Sequence, residues 1–317
     1  MEVRRWIEGD ETAKEMLERV FTQRSSLALP PPLHRIPLRS GDVVEIAGPS
    51  PSAKTQILLQ AAVSCVLPKE WKGTYYGGLG QTVLYIDLDS KFDVHRLLQM
   101  LKHRIVGANG HSSSGCDEEI INMCMKRFFY TCCYDSFELL ATLKTLHYRL
   151  QRENLALENH GHVIMMDSIG AFHWMDRACT SFVLEGYNRK SISFQNVMVI
   201  VVGELRKLLS VHSMVVICTK TANLGNYVDD RNFGKRSAPD NPDSLRDIGN
   251  GRRPVFREYM PSIWQSLVTH RIFVQALGDQ VAVRKHRDGM VYSLEWSLPC
   301  LSFSDKFVVT DAGIALV

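Results

Sequence analysis

Lys54 and Thr55 close the octapeptide Gly48-Pro49-Ser50-Pro51-Ser52-Ala53-Lys54-Thr55. A lysine followed by a hydroxyl residue, at the end of a glycine-led turn, is the pair that handles a polyphosphate. Backbone N–H groups of such a loop, and of the helix that follows, hold an anion. Lys54 would reach the terminal phosphates of ATP, and Thr55 would place its hydroxyl on Mg²⁺. The nucleotide-binding set is then Gly48, Ser50, Ser52, Ala53, Lys54 and Thr55. Two positions depart from the pattern. The glycine expected before the lysine is Ala53, and Pro51 has no N–H to offer a phosphate. The competing reading is a turn with a surface lysine. Two acids could complete the chemistry. Asp167 ends the apolar run His162-Val163-Ile164-Met165-Met166 and precedes Ser168. At the carboxyl end of a parallel strand it would hold Mg²⁺ through water. Asp89 follows Tyr85-Ile86-Asp87-Leu88, a second strand end.

These residues need strands behind them and helices after them. Val43-Val44-Glu45-Ile46-Ala47 is strand-like, and Gln56 to Val63 reads as a helix, so the loop has strand–turn–helix context. Thr82–Asp87 is a buried strand, with a helix from about Phe92 to Ile105. Residues 107–115 form a Gly/Ser/Asn loop. A helix from about Cys116 to Lys126, a strand Phe128–Cys133 and a helix Phe137–Leu150 follow. After the strand ending in Asp167, a helix Gln195–Leu209 leads to the strand Met214–Cys218. Arg271–Val274, Val281–Val283 and Phe307–Val309 alternate as strands with short turns. The fold class predicted is α/β: a mainly parallel sheet with helices on both faces and an antiparallel C-terminal finish.

Ahead of this core, residues 1–35 form a short helical segment and a Pro-rich tether; the core occupies 36–317. Residues 10–24 are amphipathic, with Met16, Leu17, Val20 and Phe21 on one face. That face packs either on the chain's own core or on a neighbouring subunit. Residues 220–258 read as a mobile basic loop, with seven Lys/Arg and three Asp between Arg231 and Arg257. It is either a solvated insertion or a contact for a phosphate backbone through Arg252, Arg253 and Arg257.

Bulk properties set limits. The chain has 317 residues, 45% of them hydrophobic, which suits one large domain with a short appendage. A net charge of +3 does not mark a nucleic-acid binder, so any basic surface is local. The eight cysteines form no CxxC pair and several lie in apolar runs, as expected of reduced thiols in an intracellular protein. The charged N-terminus is no secretory signal, and no apolar run has membrane-spanning length. The expected location is the nucleus or cytosol, with no membrane partner.

Taken together, the loop, Tyr85-Ile86-Asp87 with an acid two residues on, Met166-Asp167-Ser168, and the strand entering Thr219-Lys220-Thr221 resemble the RecA-family recombinase core. More narrowly, Phe92-Asp93, the run Asp167 to Arg177 with Phe172-His173-Trp174-Met175, Trp264 to Arg271 and Arg24-Ser25-Ser26-Leu27 are similar to a divergent recombinase paralogue. The resemblance covers most of residues 10–275. It implies a RecA-like P-loop NTPase core that uses ATP and Mg²⁺. It implies nuclear work in homologous recombination repair of double-strand breaks and in meiosis. It also implies a heteromeric complex with other recombinase paralogues, chiefly the D paralogue, acting on single-stranded or branched DNA.

Departures from the family pattern bear on turnover. The resemblance makes Asp89 the residue that positions the attacking water, where the family has a glutamate one methylene longer. A reacting group displaced by about 1 Å loses roughly 10²-fold in rate. The glutamine that senses the terminal phosphate is replaced by Lys220, and Phe21-Thr22-Gln23-Arg24 does not meet the Phe-x-x-Ala polymerisation signal. Two functions stay open: a DNA- and ATP-binding subunit with weak or no hydrolysis, and a DNA-dependent ATPase active in its own right. A P-loop kinase would need an arginine lid, for which only Arg252 and Arg253 offer themselves. The resemblance places Trp174 near the face toward a neighbouring subunit, and the alternative makes it plain core; Phe21 is the second interface candidate, from the amphipathic face of residues 10–24.

Overall fold

The computed structural model describes residues 26–109, 114–154, 161–179, 194–224, 256–277 and 290–317. The helix expected at 10–24 and the strand at 281–283 lie outside these residues, as does 225–255 of the basic loop. The described chain opens with β1 (Ser26–Leu27), paired antiparallel with β2 (Leu38–Arg39). Leu29 and Leu33, on either side of the three prolines, are buried in the core, so this stretch lies on the domain rather than off it.

The parallel part follows from the buried apolar runs. β3 (Val43–Gly48) is buried along its whole length and hands over to α1 (Lys54–Val66). A small ladder of β4 (Glu70–Trp71) with β5 (Thr74–Tyr75) leads into β6 (Thr82–Asp87). Helices α2 (Val94–Asn109) and α3 (Ser114–Lys126) return the chain to β7 (Phe128–Cys132). Helix α4 (Ser136–Asn154) precedes β8 (His162–Asp167), and the short α5 (His173–Cys179) follows it. Helix α6 (Phe194–Val211) feeds β9 (Met214–Thr221), which runs on into β10 (Asn223–Leu224). β11 (Phe256–Arg257) pairs antiparallel with β10, so the ends of the basic loop are zipped together. The one-turn α7 (Ser262–Gln265) then leads to β12 (His270–Ala276), and β13 (Val291–Leu298), β14 (Cys300–Thr310) and β15 (Gly313–Leu316) finish the chain.

Nine of these strands form one sheet in the order β15-β14-β13-β12-β3-β9-β8-β6-β7. The strands from β12 to β7 in that order are parallel. β13, β14 and β15 are antiparallel additions beyond β12. The expected α/β architecture with an antiparallel finish is therefore present, although β13 was not foreseen and Phe307–Val309 belongs to the much longer β14.

Alternation assigns the two faces. Val163 and Met165 of β8 enter one apolar cluster with Leu58 of α1 and Leu97 and Leu101 of α2. Ile164 and Met166 enter the other, with Leu143 of α4, Val201 and Leu205 of α6, and Trp264 of α7. Strands buried on both faces read as continuous apolar runs, which is why these were legible. The register sets Asp87 beside Asp167 and Ala47 beside Lys220. The carboxyl ends of β3, β6, β8 and β9 thus share one edge, where open α/β sheets bind ligands.

Candidate functional site

The phosphate-type loop hangs from the end of β3. Gly48 is required there by space: a Cβ would lie 2.0 Å from the Val274 carbonyl oxygen on β12. Ala53 takes the left-handed conformation at φ 58° and forms the N-cap of α1 without any side-chain cap. The backbone thus keeps the shape a glycine would give, at the cost of a crowded Cβ. The uncapped first turn leaves N–H groups that have no intrahelical partner, an arrangement ready for an anion. Lys54 Nζ donates to the carbonyls of Gly48 and Pro49, both at 2.9 Å, and to Ser52 Oγ at 3.0 Å. Burial lowers its pKa to about 8, against the opposing pull of the Asp167 carboxylate.

The acids gather at the same edge. Thr55 Oγ1 donates to Asp167 Oδ2 at 2.7 Å, tying helix α1 to the end of β8. Tyr85 donates its hydroxyl to the same oxygen at 3.0 Å, and Thr219 donates to Oδ1. Burial first, and then Asp167, pushes the Tyr85 phenol far above its usual range, so it stays a donor. Asp87 plays a different part. It accepts backbone N–H bonds from Asp89, Lys91 and Phe92, at 3.3, 3.3 and 3.0 Å, and so shapes the turn that carries Asp89. Asp89 Oδ2 accepts from Lys91 Nζ at 2.8 Å, whereas its Oδ1 is buried without a hydrogen-bond partner. Burial raises the Asp89 pKa, opposed by the Lys91 bond.

An uncapped helix end, an ammonium at its mouth and a hydroxyl–carboxylate pair form the donor set that ATP with Mg²⁺ requires. The residues present fit that group, apart from Pro51. Lys54 and the first-turn amides would hold phosphate oxygens; Thr55, with Asp167 behind it, would hold the metal ion. When bound, the ion would neutralise charge on the phosphates. Among the described residues no helix is long and apolar enough to cross a membrane, and no group of three His, Cys, Asp or Glu side chains could hold a metal on its own.

Sequence reasoning missed the cavity beside this loop. It measures about 560 Å³ and opens next to Ala53, between Gln56, Arg96, Tyr292 and the Thr310–Asp311 turn. Arg96 is fixed there by Nε donating to Gln56 Oε1 at 3.0 Å and Nη1 donating to the Asp311 carbonyl at 3.0 Å. No local signal marks Arg96, because its partner lies 215 residues away in the chain.

Lys220 belongs to strand β9 rather than to the loop after it, and its ammonium does not turn toward Lys54. It is buried, 2.9 Å from Glu45 Oε1 and 2.7 Å from Glu258 Oε2. Arg271 Nε donates to Glu45 Oε1 at 2.7 Å, and Trp264 Nε1 to Glu45 Oε2 at 2.7 Å. Trp264 packs in the cluster on the face opposite α1, so the network lies across the sheet from the phosphate-type loop. Burial works against ionisation of Glu258, but the Lys220 and Met260 N–H bonds outweigh it and hold the carboxyl below its usual range.

Trp174 is 56% exposed, so the plain-core alternative is excluded. Its ring lies 4.8 Å from His173 and 6.2 Å from Tyr259. Tyr259 in turn sits over Gly170, where a Cβ would lie 2.1 Å from its hydroxyl. Phe21, Arg252 and Arg253 lie outside the described residues, and of Arg257 only its place in β11 is described. Among the described residues six cysteines are free thiols, four of them buried; Cys132 is partly exposed and Cys300 exposed.

No protein-family model matches the chain. It is 50% identical over 334 aligned positions to the DNA repair protein XRCC2 homolog of Arabidopsis thaliana, covering 98% of this chain and 89% of that one. It is 29% identical over 267 residues to the DNA repair protein XRCC2 of Mus musculus, covering 84% and 80%. A 134-residue stretch, 42% of this chain and 35% of its relative, is 28% identical to the DNA repair protein RAD51 homolog 4 of Bos taurus. With the sheet order above, these likenesses make the fold RecA-like. On them, the chain belongs to the XRCC2 family of DNA repair proteins.

Proposed function

We propose that this protein is a subunit of a recombinase-paralogue complex in the nucleus, supporting homologous recombination repair of double-strand breaks and meiotic recombination. Its partners are other recombinase paralogues, chiefly the D paralogue, together with single-stranded or branched DNA. It holds ATP with Mg²⁺ at Lys54, Thr55 and Asp167, the base lying in the cavity beside Arg96, and hydrolyses it feebly or not at all. The observation that carries the weak-turnover reading is the state of Asp89. The shorter carboxylate has one oxygen engaged by Lys91 at 2.8 Å. Lys220, at the sensing position, is spent in the Glu45–Glu258 network. Trp174, with Phe21 of the N-terminal segment, faces a neighbouring subunit. Arg252, Arg253 and Arg257 meet DNA through phosphate.

The test is affinity purification of the tagged protein from nuclei, with co-purifying chains identified. Recombinase paralogues in the eluate support the reading; their absence overturns it. For DNA, binding should weaken steeply with salt and show little sequence preference. Changing Arg252, Arg253 and Arg257 to alanine should lower affinity evenly across sequences. The reading as an ATPase active in its own right draws on one observation: Asp89 Oδ1 is buried without a partner, as a group aimed at a reacting water would be.

A further inference from the structure

At the carboxyl edge of the sheet, away from the phosphate-type loop, the N-terminus of α4 meets α5. Ser136 Oγ donates to Asp176 Oδ2 and holds the two helices together. Large apolar side chains stand exposed around this contact: Tyr134 at 69%, Phe137 at 57%, Trp174 at 56% and Met175 at 63%. Apolar residues exposed one by one need no explanation, but here four of them, three aromatic, lie within two residues of one interhelical contact. Trp174 is also pre-ordered by its contacts with His173 and Tyr259, so little side-chain freedom remains to be lost on binding.

The charges around the cluster decide what covers it. Asp135 accepts the N–H groups of Phe137 and Glu138, at 2.9 and 2.8 Å, and caps α4. Glu138 accepts the Tyr134 N–H at 2.8 Å. Among the described residues of these two segments, three carboxylates, Asp135, Glu138 and Asp176, lie beside the aromatics, against the guanidinium of Arg177. A phosphate backbone would meet repulsion here, although the aromatics alone would suit stacked bases. A protein surface of opposite charge is steered in and matched.

We propose that Tyr134, Phe137, Trp174 and Met175, rimmed by Asp135 and Glu138, form a docking surface for a basic, apolar segment of a partner protein. This deepens the assignment of Trp174 to a subunit interface and rests on it. Its new content is the extension onto α4 and the chemistry of the partner.

The test uses the full chain and three labelled probes followed by fluorescence anisotropy. One is a helical peptide of Leu, Phe, Lys and Arg; one is the same peptide with Glu for every Lys and Arg; one is single-stranded oligothymidylate. The basic peptide should bind at least tenfold more tightly than the acidic one. Trp174→Ala and Phe137→Ala should each weaken it by about thirtyfold, the scale of an interface hot spot. Both side chains are exposed, so the variants should melt like the parent. Asp135→Asn keeps the cap acceptor; combined with Glu138→Lys it should abolish or reverse the preference between peptides. Equal binding of the two peptides overturns the proposal. So does an unchanged preference in the charge variant, or oligothymidylate binding that exceeds the basic peptide's and depends on Trp174. Co-purification separates the levels. If the parent recovers no recombinase paralogue, the complex assignment falls; if parent and charge variant recover them equally, only this surface falls.

Discussion

Ala53 and Lys54 show how a departure from a motif is absorbed by neighbouring residues. The left-handed backbone at Ala53 costs an L-residue about 1–2 kcal/mol, part of which is returned because alanine restricts the unfolded chain by about 0.4–1 kcal/mol more than glycine. Ala53→Gly should therefore stabilise the protein by about 0.5–1 kcal/mol, measured by urea denaturation, while leaving nucleotide affinity the same or better. Lys54 gives a pH signature. Its pKa is lowered to about 8 by burial, and an incoming phosphate selects the protonated form. ATP affinity should be level below pH 8 and fall toward tenfold per unit above it, by proton linkage. Lys54→Arg, which stays charged, should flatten that limb in isothermal titration, and Lys54→Ala should abolish binding. For the protein alone the sign is opposite. The depressed lysine pKa means the unfolded chain binds more protons above pH 8, so stability rises from there toward the ordinary lysine value.

At the scale of elements, the strands carrying the site could be read directly because each is buried on both faces. β8 reads as an uninterrupted apolar run ending in an acid, and β3 likewise leads into the loop. What stayed illegible was set by distant partners. Glu45 inside β3 looks like a polar lapse in an apolar strand until Lys220, Arg271 and Trp264 are brought to it by β9, β12 and α7. Arg96 acquires its place only from the turn after β14. Lys220 could not be told from a loop residue, because the apolar run stops at Cys218 while strand β9 continues through the polar Thr219-Lys220-Thr221. The network predicts its own cost. Lys220→Met removes the buried cation between Glu45 and Glu258 and should lower stability by about 3 kcal/mol, the scale of breaking a buried ion pair. Chemical denaturation measures it. Glu258 adds a pH dependence. Its lowered pKa contributes stability that is present above the unfolded value and is lost as pH falls through the folded one. Glu258→Gln should blunt that acid limb.

For the whole molecule, a well-packed RecA-like core carries the proposed nucleotide site, where Asp89 is engaged by Lys91 and Lys220 is held by Glu45 and Glu258. That combination suits a subunit that binds and assembles more than it turns over. Loss of one methylene at Asp89 and the Lys91 bond act on the same step, so Asp89→Glu with Lys91→Ala should raise any residual rate by up to roughly 10²-fold. The most direct measurement is ATP binding and steady-state hydrolysis on one preparation of the protein freed of its partners, with and without single-stranded DNA. Saturable ATP binding that requires Lys54 is expected, with turnover far below the roughly 1 s⁻¹ at the low end of ordinary enzymes. Turnover near or above that rate, rising with DNA and lost in Asp89→Asn, would contradict it.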